Sequence, residues 1–339
     1  MLINCEECFL KKENSIFVDV RTPKEFEESH IYDAVNIPLL NDEERKIIGI
    51  MFKEKGKDIA LNKGYEFVGS KLAVIMKEYE KYKDKKIIVY CARGGMRSKS
   101  IVSFLKAFDY DVFQLFEGYK GYRNYMLNYF ENVDYKPKLI SLHGLTGVGK
   151  TEILNKIIEK HPVIDLEGIA KHRNSLFGSI NLKPVSQKMF ESYLFKFFKK
   201  FENEKYVLVE AESKKVGEVQ IPCFFWKKMQ SAIHILIESS IDNRVKRIVK
   251  EYKIIDKENK EKIIQILDSL RQKLSNDMVD NLKNLFLENN LTEFVKILFL
   301  EYYDPLYDYS INKYIYKLIL NYDVSDSFFK ELDDFINRF

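Results

Sequence analysis

Cys91 lies in the run VYCARGGMRS, with Arg93, Gly94, Gly95 and Arg97 close behind it. Small residues let successive backbone N–H groups turn inward on one anion, and Arg97 adds a fixed positive charge. Such surroundings stabilise a thiolate and whatever anion it attacks or carries. The candidate catalytic group is therefore Cys91 with Arg93, Gly94, Gly95 and Arg97. A second loop, GLTGVGKT from Gly144 to Thr151, satisfies the pattern G-x-x-x-x-G-K-[ST]. Its candidate phosphate-binding residues are Gly144, Gly147, Gly149, Lys150 and Thr151. Backbone amides and a helix N-terminus would cradle a phosphate chain, Lys150 would meet its terminal phosphates, and Thr151 would ligate Mg2+.

Acidic partners for that Mg2+ are expected after a second strand, and YVLVEAES supplies Glu210 and Glu212. Glutamate there replaces the more usual aspartate at the first position. The segment DLEGIAKHRNSLFGS crowds together Asp165, Glu167, His172 and Arg173. His172 and Arg173 are candidates for neutralising a departing diphosphate or gripping an RNA phosphate. Arg244, with Lys246, Arg247 and Lys250 in NRVKRIVKEYK, is a further candidate for such contacts on a helix face that would otherwise be merely solvated. Tyr302, Tyr303, Tyr307 and Tyr309 are either stacking partners for exposed bases or core residues. No base-reading motif accompanies the phosphate loop, which reads a polyphosphate and not the group attached to it. The donor need not be a nucleotide.

Two α/β units are needed to position these residues. SIFVDV, AVNIPL and IIVYC read as strands, PKEFEES as a helix, and a long polar stretch to about Lys85 as helical. Strand IIVYC ends in Cys91, and Ile101, Phe104 and Leu105 mark the helix that follows. The polar, proline-bearing DYKPK around Asp134 to Lys138 reads as a linker. Beyond it, Leu139 to His143, PVIDL, YVLVE and AIHILIE read as strands, and TEILNKIIEK as an amphipathic helix. From about Ser240 to the end the pattern reads as helical throughout.

At 339 residues and 46% hydrophobic content the chain can build two ordinary cores. A formal net charge of +4 excludes the strong global field of a nucleic-acid coating protein and leaves room for a local basic face. No cationic leader and no apolar run of spanning length is found, so a cytoplasmic protein with no membrane association is expected. The four cysteines are too few and too irregular for a disulfide framework. Cys5 and Cys8 form a C-x-x-C pair with no second pair to complete a metal shell. Cys223, after a proline in an apolar run, is expected to be a buried small hydrophobe.

VDVRTPKEFEESHIYDAVNIP, taken with the Cys91 loop, resembles the rhodanese superfamily over about Ser15 to Tyr125. The resemblance implies a persulfide-type or perselenide-type sulfur or selenium on Cys91, with Asp19 and Arg21 bracing the loop and His30 structural. Many sulfur-transferring members place an arginine five positions after the cysteine, whereas Arg97 stands six after Cys91. That C-x5-R spacing is shared with cysteine phosphatases and makes room for a tetrahedral oxyanion.

Over nearly its full length the chain is similar to the bacterial tRNA 2-selenouridine synthase family, also called tRNA 2-thiouridine geranyltransferase/selenotransferase. The marks are VDVRTPKEF, PLLNDEERKIIG, VYCARGGMRS, EGYKGYR, GLTGVGKTE, DLEGIAKHRNSLFG, PVSQKMFES, VEAESKKVGEVQIP and EYYDPLY. This resemblance implies an α/β protein: residues 1–133 a rhodanese-like domain with a central parallel sheet, 134–239 a P-loop NTPase-like α/β domain, and 240–339 a helical C-terminal extension packed on it. It implies conversion of wobble 2-thiouridine in a tRNA anticodon to 2-selenouridine through S-geranyl-2-thiouridine. Geranyl diphosphate and selenophosphate would be co-substrates, Mg2+ the cofactor, and tRNA and a selenophosphate-supplying enzyme the partners. Two alternatives stay open: a rhodanese-type sulfurtransferase fused to a regulatory NTPase, and a cysteine phosphatase of the rhodanese superfamily. A non-enzymatic scaffold would leave Cys91, Arg97 and Lys150 without a purpose.

Overall fold

The computed structural model describes residues 1–10, 14–251 and 257–339, with all their side chains except those of 10, 251, 308–310, 325 and 326. The chain divides into two compact units, Met1–Val133 with Glu191–Lys196, and Asp134–Phe190 with Phe197–Phe339.

The first unit is built on β1 (Leu2–Ile3), β2 (Ser15–Asp19), β3 (Val35–Asn36), β4 (Lys86–Tyr90) and β5 (Val112–Leu115). These form one parallel sheet in the order β1-β5-β4-β2-β3. A central parallel strand is covered on both faces and therefore reads as a continuous apolar run. In β4, Ile87, Ile88, Val89 and Tyr90 are all buried, and the strand delivers Cys91 to the carboxyl edge of the sheet, where open α/β sheets bind ligands. The polar stretch before β4 is three helices, Asp42–Lys55, Lys57–Gly69 and Leu72–Glu80. Its first break falls at Gly56, whose φ of 89° only glycine adopts without strain.

The second unit contains β6 (Lys138–His143), β7 (Val163–Ile164), β8 (Tyr206–Glu210), a small antiparallel ribbon of β9 (Lys215–Val216) and β10 (Val219–Gln220), then β11 (Ile233–Glu238) and β12 (Tyr316–Asn321). Its main sheet runs β12-β11-β6-β8-β7, again parallel. Buried Ile140, Leu142, Leu208, Ile235 and Ile237 pack there against Ile153, Leu154 and Ile157 of the Lys150–Ile157 helix.

Among the described residues helices dominate after Ser240, with a departure at Tyr316–Asn321, a strand paired in parallel with β11. Tyr316, Leu318 and Leu320 turn inward while Lys317, Ile319 and Asn321 stay exposed, the two-residue period of an edge strand. Cys223 is also corrected. It opens the Cys223–Gln230 helix and is exposed, because the buried face of that helix is carried by Phe225 and Met229.

Candidate active sites

Cys91 is 3% exposed, and the Gly95 N–H donates to its Sγ at 3.2 Å. The Ser98 hydroxyl also lies 3.2 Å from the sulfur. Gln114 on β5 fixes that serine: its Nε2 donates to Ser98 Oγ at 2.9 Å and to the Gly94 carbonyl at 2.7 Å. The loop is closed from outside by the EGYKGYR segment, where the N–H groups of Tyr119 and Lys120 donate to the carbonyls of Cys91 and Ala92. Gly118 must be glycine there. Its φ is 56°, and a Cβ would stand 2.2 Å from the Cys91 carbonyl oxygen.

Arg97, in the first turn of the Met96–Lys106 helix, has its charge balanced by Glu25, with Nη1 donating to Oε2 at 2.8 Å. Burial raises the Glu25 carboxyl, but the Arg97 bond and charge outweigh it and hold the group below the usual carboxylate range. Arg93 is exposed. Asp19 is fully buried in a fork-like pair with Arg21, whose Nη2 also donates to the Ser29 carbonyl at 2.6 Å. The guanidinium lies 4.2 Å from the Tyr119 ring centre, which ties the DVR strand end to the segment closing the cysteine loop. His30 stacks on Phe26 and bonds its carbonyl, a packing role.

The phosphate loop follows β6 directly and leads into the Lys150–Ile157 helix. Gly147 and Gly149 take φ of 80° and 95°. Lys150 Nζ donates to the Gly144 carbonyl at 3.1 Å. Thr151 Oγ1 donates to Glu210 Oε1 at 2.7 Å and lies 3.2 Å from Glu167 Oε2. Carboxylate oxygens of Glu167, Glu210 and Glu212 all lie within 4.8 Å of one another. Burial, then neighbouring carboxylates, push the Glu210 and Glu167 carboxyls up to about 8. Burial raises Glu212 to about 7, with Lys150 pulling the other way. Glu210 is completely buried, and its Oε2 has no hydrogen-bond partner among the described residues. Crowded oxygens with an unpartnered acceptor fit a hard divalent cation, which takes oxygen ligands. Thr151, Glu210 and Glu212 would hold it, together with Glu167, a residue the sequence reading noticed without assigning it this task.

His172 packs against Gly178 and Gly217, at whose positions a Cβ would come within 2.6 and 2.5 Å of its ring. Its Nδ1 is buried without a partner, and burial lowers its pKa. Arg173 Nη1 donates to the Ile180 carbonyl at 2.9 Å. Arg244, a candidate for diphosphate or RNA contacts, does not lie on a solvated helix face. It is 3% exposed and paired with Asp304 through both terminal nitrogens, at 2.9 and 2.6 Å. Its Nε donates to the Thr146 carbonyl at 2.9 Å, and Phe299 lies 4.5 Å beneath the guanidinium. The charge run hides this because Asp304 lies far along the chain. Arg247 joins it, donating to the Gly147 carbonyl at 3.5 Å and to Ser239 Oγ at 2.8 Å. Tyr302 and Tyr303 are core residues and Tyr307 packs against the same cluster; the side chain of Tyr309 lies outside the described residues.

The family model of the tRNA 2-selenouridine synthase AAA domain matches residues 137–329, and that of the rhodanese-like domain matches residues 9–125. The chain belongs to the tRNA 2-selenouridine synthase family. It is 31% identical over 338 residues to the tRNA 2-selenouridine synthase of Shewanella frigidimarina, covering 89% of this chain and 90% of that one. The enzyme of that name from Hydrogenovibrio crunogenus is 30% identical, with 88% and 90% covered. The one from Nitrosomonas europaea is 33% identical over 69% of this chain and 63% of its own. The chain is thus a transferase of the tRNA 2-selenouridine synthase type, with selenium as the element this family name carries. Among the described residues no helix is long and apolar enough to cross a membrane.

Proposed function

We propose that this protein converts wobble 2-thiouridine of tRNA to 2-selenouridine in two steps, using geranyl diphosphate and then selenophosphate. In the first step the thiocarbonyl sulfur attacks C1 of the geranyl group. The carbon–oxygen bond breaks, diphosphate leaves, and the base gives up its N3 proton. Lys150 and the loop amides from Gly144 to Thr151 hold the diphosphate as charge develops on it. A Mg2+ ion held by Thr151, Glu167, Glu210 and Glu212 would supply further charge neutralisation. Alkylation turns the sulfur into a leaving group and makes C2 electrophilic. Selenium of selenophosphate then attacks C2, geranyl thiol departs, and water cleaves the phosphorus–selenium bond to release phosphate. Cys91, Gly95 N–H and Ser98 would orient the selenium donor, with Arg97 and exposed Arg93 near its phosphate.

The carrying observation is the pairing of two unlike sites in one chain. A soft sulfur receives an N–H donor and a hydroxyl, and a phosphate cradle opens on three clustered carboxylates. A sulfurtransferase alone has no need of the second, and a phosphatase alone has no need of either Lys150 or the cluster. The test is nucleoside analysis of tRNA from cells expressing the wild-type chain, Cys91→Ala or Lys150→Ala. Cys91→Ala should accumulate S-geranyl-2-thiouridine, and Lys150→Ala should leave 2-thiouridine untouched. Identical nucleosides with and without the protein would overturn the reading.

A further inference from the structure

Asn174 stands in a loop whose backbone is fixed on both sides of it. The Arg173 N–H donates to the Gly178 carbonyl at 3.1 Å, the Gly178 N–H to the Ser175 carbonyl at 2.9 Å, and the Leu176 N–H to the Tyr303 hydroxyl at 3.2 Å. Asn174 itself has a φ of 28°, in the left-handed region that asparagine tolerates better than most residues and glycine best of all. A turn alone would be served as well by glycine, so what asparagine adds is its side chain. That amide has two partners. Nδ2 donates to Glu212 Oε2, and Oδ1 accepts the Gly217 N–H at 3.1 Å. A carboxylate only accepts and a backbone N–H only donates, so the partners dictate which way round the amide stands.

The two partners belong to different parts of the molecule. Glu212 is one of the three clustered carboxylates, among which buried Glu210 keeps its unpartnered Oε2. The bond to Asn174 occupies one Glu212 oxygen and leaves the other for a ligand. Gly217 turns the β9–β10 ribbon at a φ of 56°, with the His172 ring packed against it. At the ribbon's other end Gln187 takes both backbone groups of Gln220, donating to the carbonyl at 2.9 Å and accepting the N–H at 2.7 Å. The ribbon is therefore held at base and tip, and the hold at the tip runs straight to a carboxylate of the phosphate-loop site.

We propose that Asn174 is a positioning residue of that site, aiming Glu212 at a divalent cation and tying the ribbon tip to whether the cation is bound. This inference rests on the reading of the carboxylate cluster as a cation holder. A partner behind a metal ligand fixes its orientation, and losing that partner weakens metal binding by about 10–100-fold. A carboxylate shared with a cation also moves less. Asn174 is then held from both ends, and the Gly217 N–H behind it opens to solvent less often.

The test is Mg2+ titrated into the full chain, read by calorimetry and by amide hydrogen exchange. Asn174→Gly removes both bonds and relieves the left-handed backbone. Its Mg2+ dissociation constant should rise by about 10–100-fold, while its metal-free Tm holds. Mg2+ should slow exchange at Gly217 in the wild-type chain, and that slowing should vanish in the variant. Unchanged Mg2+ affinity in folded Asn174→Gly would overturn the inference and leave the cation reading intact, and a lowered Tm with full affinity would mark a purely structural residue. Should the variant not fold, the wild-type exchange decides alone: Gly217 indifferent to bound Mg2+ would sink the inference. Failure of the wild-type chain to bind Mg2+ at all would overturn the cation reading, and this inference with it.

Discussion

The cysteine loop and the phosphate loop occupy equivalent places, each following the middle strand of a five-stranded parallel sheet, yet they reach stability by opposite means. Around Cys91 the sulfur itself meets only uncharged partners, an N–H and a hydroxyl braced by a glutamine, and the nearby Arg97 is already balanced by Glu25. Around Lys150 the loop is gripped from outside by buried Arg244, itself paired with half-buried Asp304, and faces crowded carboxylates whose protons are held by burial and mutual repulsion. The first site is complete before its substrate arrives. The second, on the reading proposed above, would be completed by a cation and an anion together.

The strongest way to break this contrast is to cut the outside grip. Asp304→Ala would strand Arg244 as a buried unpaired charge, which costs about 4 kcal/mol. Chemical denaturation should show that loss, with diphosphate binding falling in parallel and the cysteine site unaffected. Next in size is Gly118→Ala, which forces a Cβ into the Cys91 carbonyl at a left-handed backbone position. A cost of about 3 kcal/mol is expected, and selenium transfer should disappear while geranyl transfer continues, as read by nucleoside analysis.

A gentler change should run the other way. Glu210→Gln relieves one member of the carboxylate cluster, so the metal-free protein should gain about 1 kcal/mol, or about 2–4 °C in Tm, and Mg2+ should no longer stabilise it. A drop in metal-free Tm would show that the cluster is not in excess of negative charge.

The smallest effect tests the strand that feeds the phosphate loop. His143, buried and bonded to His234 at 2.8 Å, has its pKa lowered to about 3, by burial first and then by the charges of His234 and Lys150. Between the ordinary 6.5 and about 3 the unfolded chain takes up a proton that the native state refuses. Stability should therefore fall as pH drops below 6.5, by no more than about 1.4 kcal/mol per pH unit. Denaturation at pH 6.5 and 5.5 checks this, and His143→Asn should flatten the profile.

The loops of Cys91 and of Gly144, Lys150 and Thr151 were legible in the sequence because each follows a pattern of fixed local spacing. So were the strands feeding them, whose apolar runs are continuous. Ser98 and Gln114 were not, because a bond from β5 to the far side of the cysteine loop leaves no mark in local order. The burial of Arg244 was hidden for the same reason: its partner Asp304 lies 60 positions on, within EYYDPLY, and a charged stretch on a helix usually faces water. Glu167 stood in plain view, but only folding brings it to Thr151 and Glu210. The strand Tyr316–Asn321 was hidden by a single helix-friendly run, KLIL, in a region otherwise helical.

That strand has a consequence for how the protein varies. Because β12 lies beside β11, the described residues between Ser239 and Tyr316 form an excursion that leaves the sheet and comes back to the adjacent strand. The Ile241–Glu251, Asn276–Leu287 and Leu291–Leu298 helices belong to the excursion, while the Gly144–Thr151 loop belongs to the sheet. Change can therefore accumulate in the excursion as an exchangeable cassette without retuning the strand that carries the Gly144–Thr151 loop.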